Sequence, residues 1–198
     1  LKRRKTVMYI VAGLGNPDSK YSRNFHNLGF MAIDCLAGRH GVKFEKSGYR
    51  GKYSIINING EKVIFVKPQT YMNLSGECIQ AIASYYKIPS EKIIVVYDDI
   101  DIPIGSVRIR ANGSAGTHNG MRNIVSELGT TDFPRVRIGI KPDRPYVLID
   151  YVLSDIRGED SAAFTEAIKI AADALDDFIQ GEPIENIMCR YNTVKKNA

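Results

Sequence analysis

The chain has 198 residues, 44% hydrophobic and 25% charged, with a formal net charge of +5. That length predicts a single domain with a sizeable core; no apolar run approaches the roughly 20 residues of a membrane span, and no secretory signal pattern is visible. The cysteines Cys35, Cys78 and Cys189 are odd in number, far apart and without a CxxC, which argues against a disulfide framework or zinc site and fits a reducing, cytoplasmic setting.

Lys2, Arg3, Arg4 and Lys5 sit ahead of Met8 with no acid among residues 1–7, and removing them from +5 leaves +1. Met8 reads as a natural start, so residues 1–7 are expected to be a non-native or unstructured stub, residues 8–192 one α/β domain and residues 193–198 a tail. "VMYIVAGLG" reads as a buried strand ended by glycines. "NLGFMAIDCLAGRHG" predicts a helix with Leu28, Met31, Ala32 and Cys35 on one stripe, stopped by Gly38 or Gly41. "KYSIINING" and "EKVIFVKP" predict two strands joined at Asn59-Gly60, a strong hairpin signal. "SGECIQAIASYYK" is helical, with Cys78, Ile79, Ile82, Ala83 and Tyr86 at 3–4 spacing. "EKIIVVYDD" is a buried strand running into acids, and "GSVRIRA" a short alternating one. "NGMRNIVSELG" predicts a helix with Met121, Ile124, Val125 and Leu128 inward and Gly129 as its cap. "PRVRIGIK" alternates as a strand. A loop rich in Pro and Arg, "KPDRPY", then leads to an acidic amphipathic helix over about 159–179.

Strands alternating with helices predict a three-layer α/β sandwich, and the hairpin makes its twisted central sheet mixed rather than purely parallel. Ligands of such sheets gather beyond the carboxyl ends of strands. Three segments fall there: "GLGNP", "PQTYMN" and "DDIDIP".

"GLGNP" opens like a dinucleotide fingerprint, but Asp18 stands at the third glycine, Pro17 interrupts, and no acid closes a second strand about 20 residues on. The glycines then serve a tight turn, and Asn16 either forms that turn or offers its amide to a cleft. Asp98, Asp99 and Asp101 suit three readings: a Mg²⁺ site, acids facing water, or one carboxylate orienting a histidine. For the last role Asp98 is the candidate, being the first acid after the buried strand. No second acid cluster or phosphate loop supports a metal. Asn73 or Ser75, and Asn119, stand at helix starts and read as caps, as does His118, which has ligand contact as its other reading. Asn16, Asn73, Asn119 and His26 together suggest an amide-lined cleft suited to peptide groups. No serine lies in GxSxG and no cysteine has a nucleophile's setting, so water activated by a histidine is the expected nucleophile.

Residues 106–144 hold seven Arg or Lys against three acids, and residues 155–185 nine acids against two bases. Such an asymmetry either orients a polyanion or reflects two differently solvated faces.

"GLGNP", "NFHNLG", "KPQTYMNLSG", "YDDIDIPIG", "GTHNGMRNI" and "RVRIGI", in this order and spacing, resemble the bacterial peptidyl-tRNA hydrolases from about Met8 to about Asn192. The resemblance implies an enzyme that hydrolyses the ester linking a peptide to the 3′ end of tRNA. It implies a monomeric cytoplasmic α/β protein with no cofactor and no metal. Carried over by motif, His26 is the base and Asp98 its orienting acid, and Asn16 bears on the choice between blocked and unblocked aminoacyl groups. Tyr21, Tyr71, Asn73 and Asn119 line the acceptor-end and peptide site with Met72 packed beside them, and Arg110 and Arg137 face tRNA phosphates. Arg108, Arg122 and Lys141 are further candidates for phosphate contact. Two positions depart from the family pattern: Phe25 stands where the family has Arg before the histidine, and Thr117 stands for a glycine. The segment "KPDRPYVLIDYVLSD" reads either as a lid or as a plain linker.

Overall fold

A computed structural model describes residues 8–143, 145–158 and 160–192. The expected stub at residues 1–7 and tail at residues 193–198 lie outside the described residues, as do Arg144 and Glu159.

The first apolar run forms β1 (Met8–Gly13), followed by α1 (Leu28–Arg39). A short β2 (Lys46–Gly48) precedes the hairpin of β3 (Gly51–Ile58) and β4 (Glu61–Pro68). Its turn residues Asn59 and Gly60 have φ of 51° and 86°, the twist that a two-residue hairpin turn requires. Next come α2 (Ser75–Tyr86), β5 (Ile93–Pro103), β6 (Val107–Arg110), α3 (Asn119–Leu128) and β7 (Arg135–Lys141). Three helices complete the described chain: α4 (Leu148–Val152), α5 (Asp160–Ile179) and α6 (Ile184–Tyr191).

Among the described residues the strands form one seven-stranded sheet in the order β2-β3-β4-β1-β5-β7-β6. The four central strands are parallel and the outer pairings antiparallel, so the sheet is mixed as expected. Alternation along the strands splits the core in two. Val11, Phe65, Val96 and Val136 pack against α1, α5 and α6, whereas Ile10, Ile64, Val95 and Tyr97 pack against α2 and α3. The result is the three-layer α/β sandwich. No helix among the described residues is long and apolar enough to cross a membrane.

Several local expectations are corrected. On α1 the buried stripe is Leu28, Ala32, Ile33 and Leu36, while Met31 and Cys35 are only partly covered. Neither Asn73 nor Ser75 caps α2. A 3₁₀ turn over Met72–Leu74 runs into the helix and moves the cap position to Leu74, and the Ser75 hydroxyl donates back to the Met72 carbonyl at 2.8 Å. The cap of α3 is His118 rather than Asn119. Strand β5 does not stop at its acids; pairing with β7 carries it through a register shift between Asp99 and Pro103.

Two glycines let helix and sheet meet. A Cβ at Gly29 would lie 2.4 Å from both the Leu14 nitrogen and the Val96 carbonyl oxygen, and one at Gly13 would lie 2.3 Å from the Gly29 carbonyl oxygen. Only hydrogen in place of a side chain allows the first turn of α1 to rest on the ends of β1 and β5. That contact brings His26, just before α1, beside Asp98, two residues beyond Val96. Alternation puts Asp98 on the α1 side of β5.

Candidate active site

His26 sits in a 3₁₀ turn over Phe25–Asn27 that leads directly into α1. Its Nδ1 lies 2.9 Å from each carboxylate oxygen of Asp98. A carboxylate only accepts, so Nδ1 carries the hydrogen and the lone pair of the neutral ring is left on Nε2. The Asp98 side chain is 3% exposed and that of His26 14%. Burial is the largest single influence on His26 and pushes its pKa down; the Asp98 charge and hydrogen bond together outweigh it and hold the imidazole above its ordinary 6.5. Burial is also the largest influence on Asp98, there favouring the protonated form, but His26 and His118 prevail and hold the carboxyl well below the usual carboxylate range.

His118 reaches the same carboxylate from α3. Its Nε2 lies 3.2 Å from Asp98 Oδ1, while its Nδ1 accepts the Met121 backbone N–H at 3.2 Å as the cap of the helix. His26, Asp98 and His118 are residue types that ligate metals, and their ligand atoms lie within 4.8 Å of one another. The cap decides against that use. An Nδ1 that accepts a backbone N–H leaves the ring hydrogen on Nε2, aimed at Asp98, where a ligand would need a lone pair. The trio is a hydrogen-bond network centred on one buried carboxylate.

A cavity of about 310 Å³ opens beside it, lined by His26, Asp98, Arg110, Asn119 and Arg137 among others. Its apolar wall is Leu148, Ile149 and Val152 of α4, within the segment read as lid or linker. This helix is tied to the turn that carries His26. The Phe25 amide donates to the Ser154 carbonyl at 3.3 Å, the Ile156 amide donates to the Arg23 carbonyl at 2.9 Å, and the Asn24 side chain donates to the Leu153 carbonyl. Phe25, standing where the family pattern has Arg, is buried against Tyr151 at a ring separation of 4.7 Å and Phe164 at 5.2 Å. An arginine's polar contact is thus replaced by apolar adhesion between the histidine turn, α4 and α5. Thr117, the second departure, is not among the positive-φ residues; φ of +57° falls on Gly116 beside it, so the threonine is unstrained.

Asn16, Tyr21, Tyr71, Met72 and Asn73 lie on the loops after β1 and β4 rather than on the cavity wall. Asn16 ties these loops together. Its N–H donates to Asn27 Oδ1 at 2.8 Å, its carbonyl accepts from Asn27 Nδ2 at 3.0 Å, and its Oδ1 accepts from the Met72 N–H at 3.0 Å. With Oδ1 thus committed, only the Nδ2 group remains for a ligand. Tyr71 is exposed and its hydroxyl donates to Asp18 at 3.1 Å, and the Lys20 ammonium lies 4.8 Å over the Tyr21 ring. Met72 is buried, its sulfur 2.7 Å from where a Cβ at Gly120 would stand, so that glycine admits it beside α3. Asn73 and Asn119 are both exposed.

The basic residues divide by their partners. Arg137 donates from Nε to Asp99 at 2.7 Å; Arg108 reaches the Asn192 carbonyl at 2.9 Å and Arg122 the Gly116 carbonyl at 2.9 Å. Arg135, buried, donates to the carbonyls of Ser114 and Thr131. Arg110 is exposed and on the cavity rim, and makes a long bond of 3.4 Å to the Ile109 carbonyl. Sequence reasoning missed the second imidazole on Asp98, the apolar wall from α4 and the role of Asn27. His118 carried a signal in its position at a helix start, and the α4 wall one in the long connection read as lid or linker.

The sequence profile described as peptidyl-tRNA hydrolase matches residues 10–198. A peptidyl-tRNA hydrolase from Listeria welshimeri is 45% identical over 185 residues, spanning 93% of this chain and 100% of the relative. One from Chloroflexus aurantiacus is 45% identical over 187 residues, spanning 93% and 99%. The crystal structure of peptidyl-tRNA hydrolase from Acinetobacter baumannii superposes with a TM-score of 0.88 at 31% identity, covering 95% of this chain and 96% of that one. Profile, sequence and three-dimensional likeness agree along nearly the whole length: the chain belongs to the bacterial peptidyl-tRNA hydrolase family.

Proposed function

We propose that this enzyme cleaves the ester between a peptide and the 3′ end of tRNA with a water molecule activated by His26. The observation that carries the reading is the His26 and Asp98 pair on the wall of the cavity, with Nδ1 engaged and the lone pair left on Nε2. Nε2 takes a proton from water as the oxygen attacks the ester carbonyl. The resulting imidazolium returns that proton to the ribose oxygen as the carbon–oxygen bond breaks. An ester is activated enough for this route, so no covalent intermediate and no cofactor is needed. Asn119, exposed on the same wall, is the amide we assign to the developing oxyanion, a contact worth at most roughly 3–4 kcal/mol.

Asn16 discriminates through the Nδ2 group that its other bonds leave over. A donor suits the carbonyl of an N-blocked group, whereas a free α-ammonium meets another donor and loses its water without a counter-charge. Asn16→Asp preserves the acceptor for the Met72 N–H and turns the donor into a carboxylate oxygen. Its hydrolysis of unblocked aminoacyl-tRNA is expected to rise relative to N-acetylaminoacyl-tRNA. The same ratio as wild type in a paired release assay counts against the role of Asn16.

The tRNA body is held through phosphates, with Arg110 the arginine of the cavity lining least committed to protein partners. KM for N-acetylaminoacyl-tRNA is expected to rise steeply with salt, and Arg110→Ala to raise KM at low salt and flatten that slope by about one phosphate's worth. An unaltered slope would remove Arg110 from the contact.

A further inference from the structure

The mechanism above uses one face of Asp98, yet the carboxylate has a second imidazole partner. His118 spans two elements: Nδ1 closes the first turn of α3, and Nε2 lies 3.2 Å from the oxygen that His26 also contacts. The two imidazole rings are 5.0 Å apart and tilted by 56°. The cap settles the form of His118, because an Nδ1 that accepts cannot carry a hydrogen. The ring is neutral and donates from Nε2. Asp98 therefore divides its negative charge between two donors, one fixed by a helix and one that must gain and lose a proton.

We propose that His118 is a positioning residue for the base: its Nε2–H holds the Asp98 carboxylate square to His26 and limits how strongly that carboxylate draws a proton onto His26. The inference rests on His26 being the base. A carboxylate as sole partner would favour the imidazolium more strongly and leave less free base near neutrality. A second donor stabilises the carboxylate by itself and lowers that pull on His26.

Other groups near the pair are already committed or are on the rim. On β5, Tyr97 lies edge-on to the His118 ring at 4.9 Å, Asp99 is paired with Arg137 of β7, and Asp101 is exposed. On β7, Arg135 donates from both terminal nitrogens to backbone carbonyls and makes no bond to Asp98. Arg110 of β6, Arg23 before the histidine turn and Asp150 of α4 are exposed to solvent. None of them bonds Asp98 among the described residues, so His118 is the neighbour whose loss changes the carboxylate directly.

The test separates capping from tuning. Asn is a preferred cap residue but is too short to keep the reach to Asp98, so His118→Asn restores the helix start and removes the donor. Its thermal midpoint is expected to match wild type within a few degrees, whereas His118→Ala loses both functions and melts lower. In the intact protein, NMR titration of His26 is expected to give a pKa higher by roughly half a unit or more in His118→Asn. The acidic limb of kcat/KM for N-acetylaminoacyl-tRNA should move up with it, costing about threefold or more in rate at pH 6 relative to the plateau. Long-range proton–nitrogen spectra should show wild-type His118 protonated at Nε2. An unmoved or lowered His26 pKa in His118→Asn, or a hydrogen on Nδ1 of His118, overturns the proposal. A raised pKa with an unmoved rate limb supports the coupling of the three residues and instead overturns His26 as the base.

Discussion

His26→Ala is expected to reduce kcat/KM for N-acetylaminoacyl-tRNA by at least about 10²–10⁴-fold, or roughly 3–5 kcal/mol of transition-state stabilisation. Two features make the effect large. His118 is no replacement base: it has one nitrogen committed to the Met121 N–H and the other to Asp98, so it has no lone pair to give to water. Arg110, the residue assigned to the tRNA backbone, shares the cavity lining with His26 but makes no bond to it, so tRNA affinity should be little changed. A rival reading, a tRNA-binding module with a structural histidine, predicts that the wild type itself releases no peptide. The variant leaves Asp98 with one donor instead of two, and some stability is lost with it; far-ultraviolet circular dichroism must show an intact fold before the rate is interpreted. In wild type the rate should fall as pH drops, because the base is lost on protonation. With the His26 pKa raised, the midpoint of that fall should lie above 6.5. A midpoint below 6.5 would mean that Asp98 is not acting on the titrating group.

The parts of the fold written in local patterns were legible. β1, the β3–β4 hairpin, α3 and β7 each carry a period or a turn signal, and they stand where those signals put them. β2 was not legible, since it is three residues long and its turn puts Tyr49 and Arg50 at positive φ without the glycine or asparagine that announces one. Helix α4 has five residues and is held by backbone bonds to residues 23–25, a contact across the chain that no spacing reveals. In the candidate site, His26 and Asp98 could be picked out because each stands at the end of a readable element. What separates Arg110 from Arg137 is a long-range pairing. Arg137 finds Asp99 only because β5 and β7 are neighbours in the sheet, and composition sees both arginines as equal members of a basic stretch.

Asp98→Asn tests the carboxylate with almost no change of shape, and the network predicts how it fails. Oδ1 of Asp98 faces both imidazoles, whereas Oδ2 faces His26 alone. His118 presents a hydrogen that its helix cap does not allow to move, so the carboxamide must turn its oxygen toward His118 and its NH₂ toward His26. A donor now faces Nδ1 of His26, which responds by accepting there and carrying its hydrogen on Nε2. The lone pair that activated water is gone, and with it the charge that stabilised the imidazolium. A fall in kcat of about 10²–10⁴-fold is expected. Two pH effects accompany it, each with a definite sign. The Asp98 charge raises the His26 pKa, so its removal leaves burial dominant and shifts the His26 titration to lower pH. The Asp98 pKa is depressed in the folded state, so its contribution to stability is fully present above the unfolded value near 3.9 and is lost as pH falls through the folded value. The variant should therefore melt below wild type at pH 7, with the gap closing in acid. Should Asp98→Asn keep near-normal turnover and an unshifted His26 titration, the carboxylate would be only a packing group.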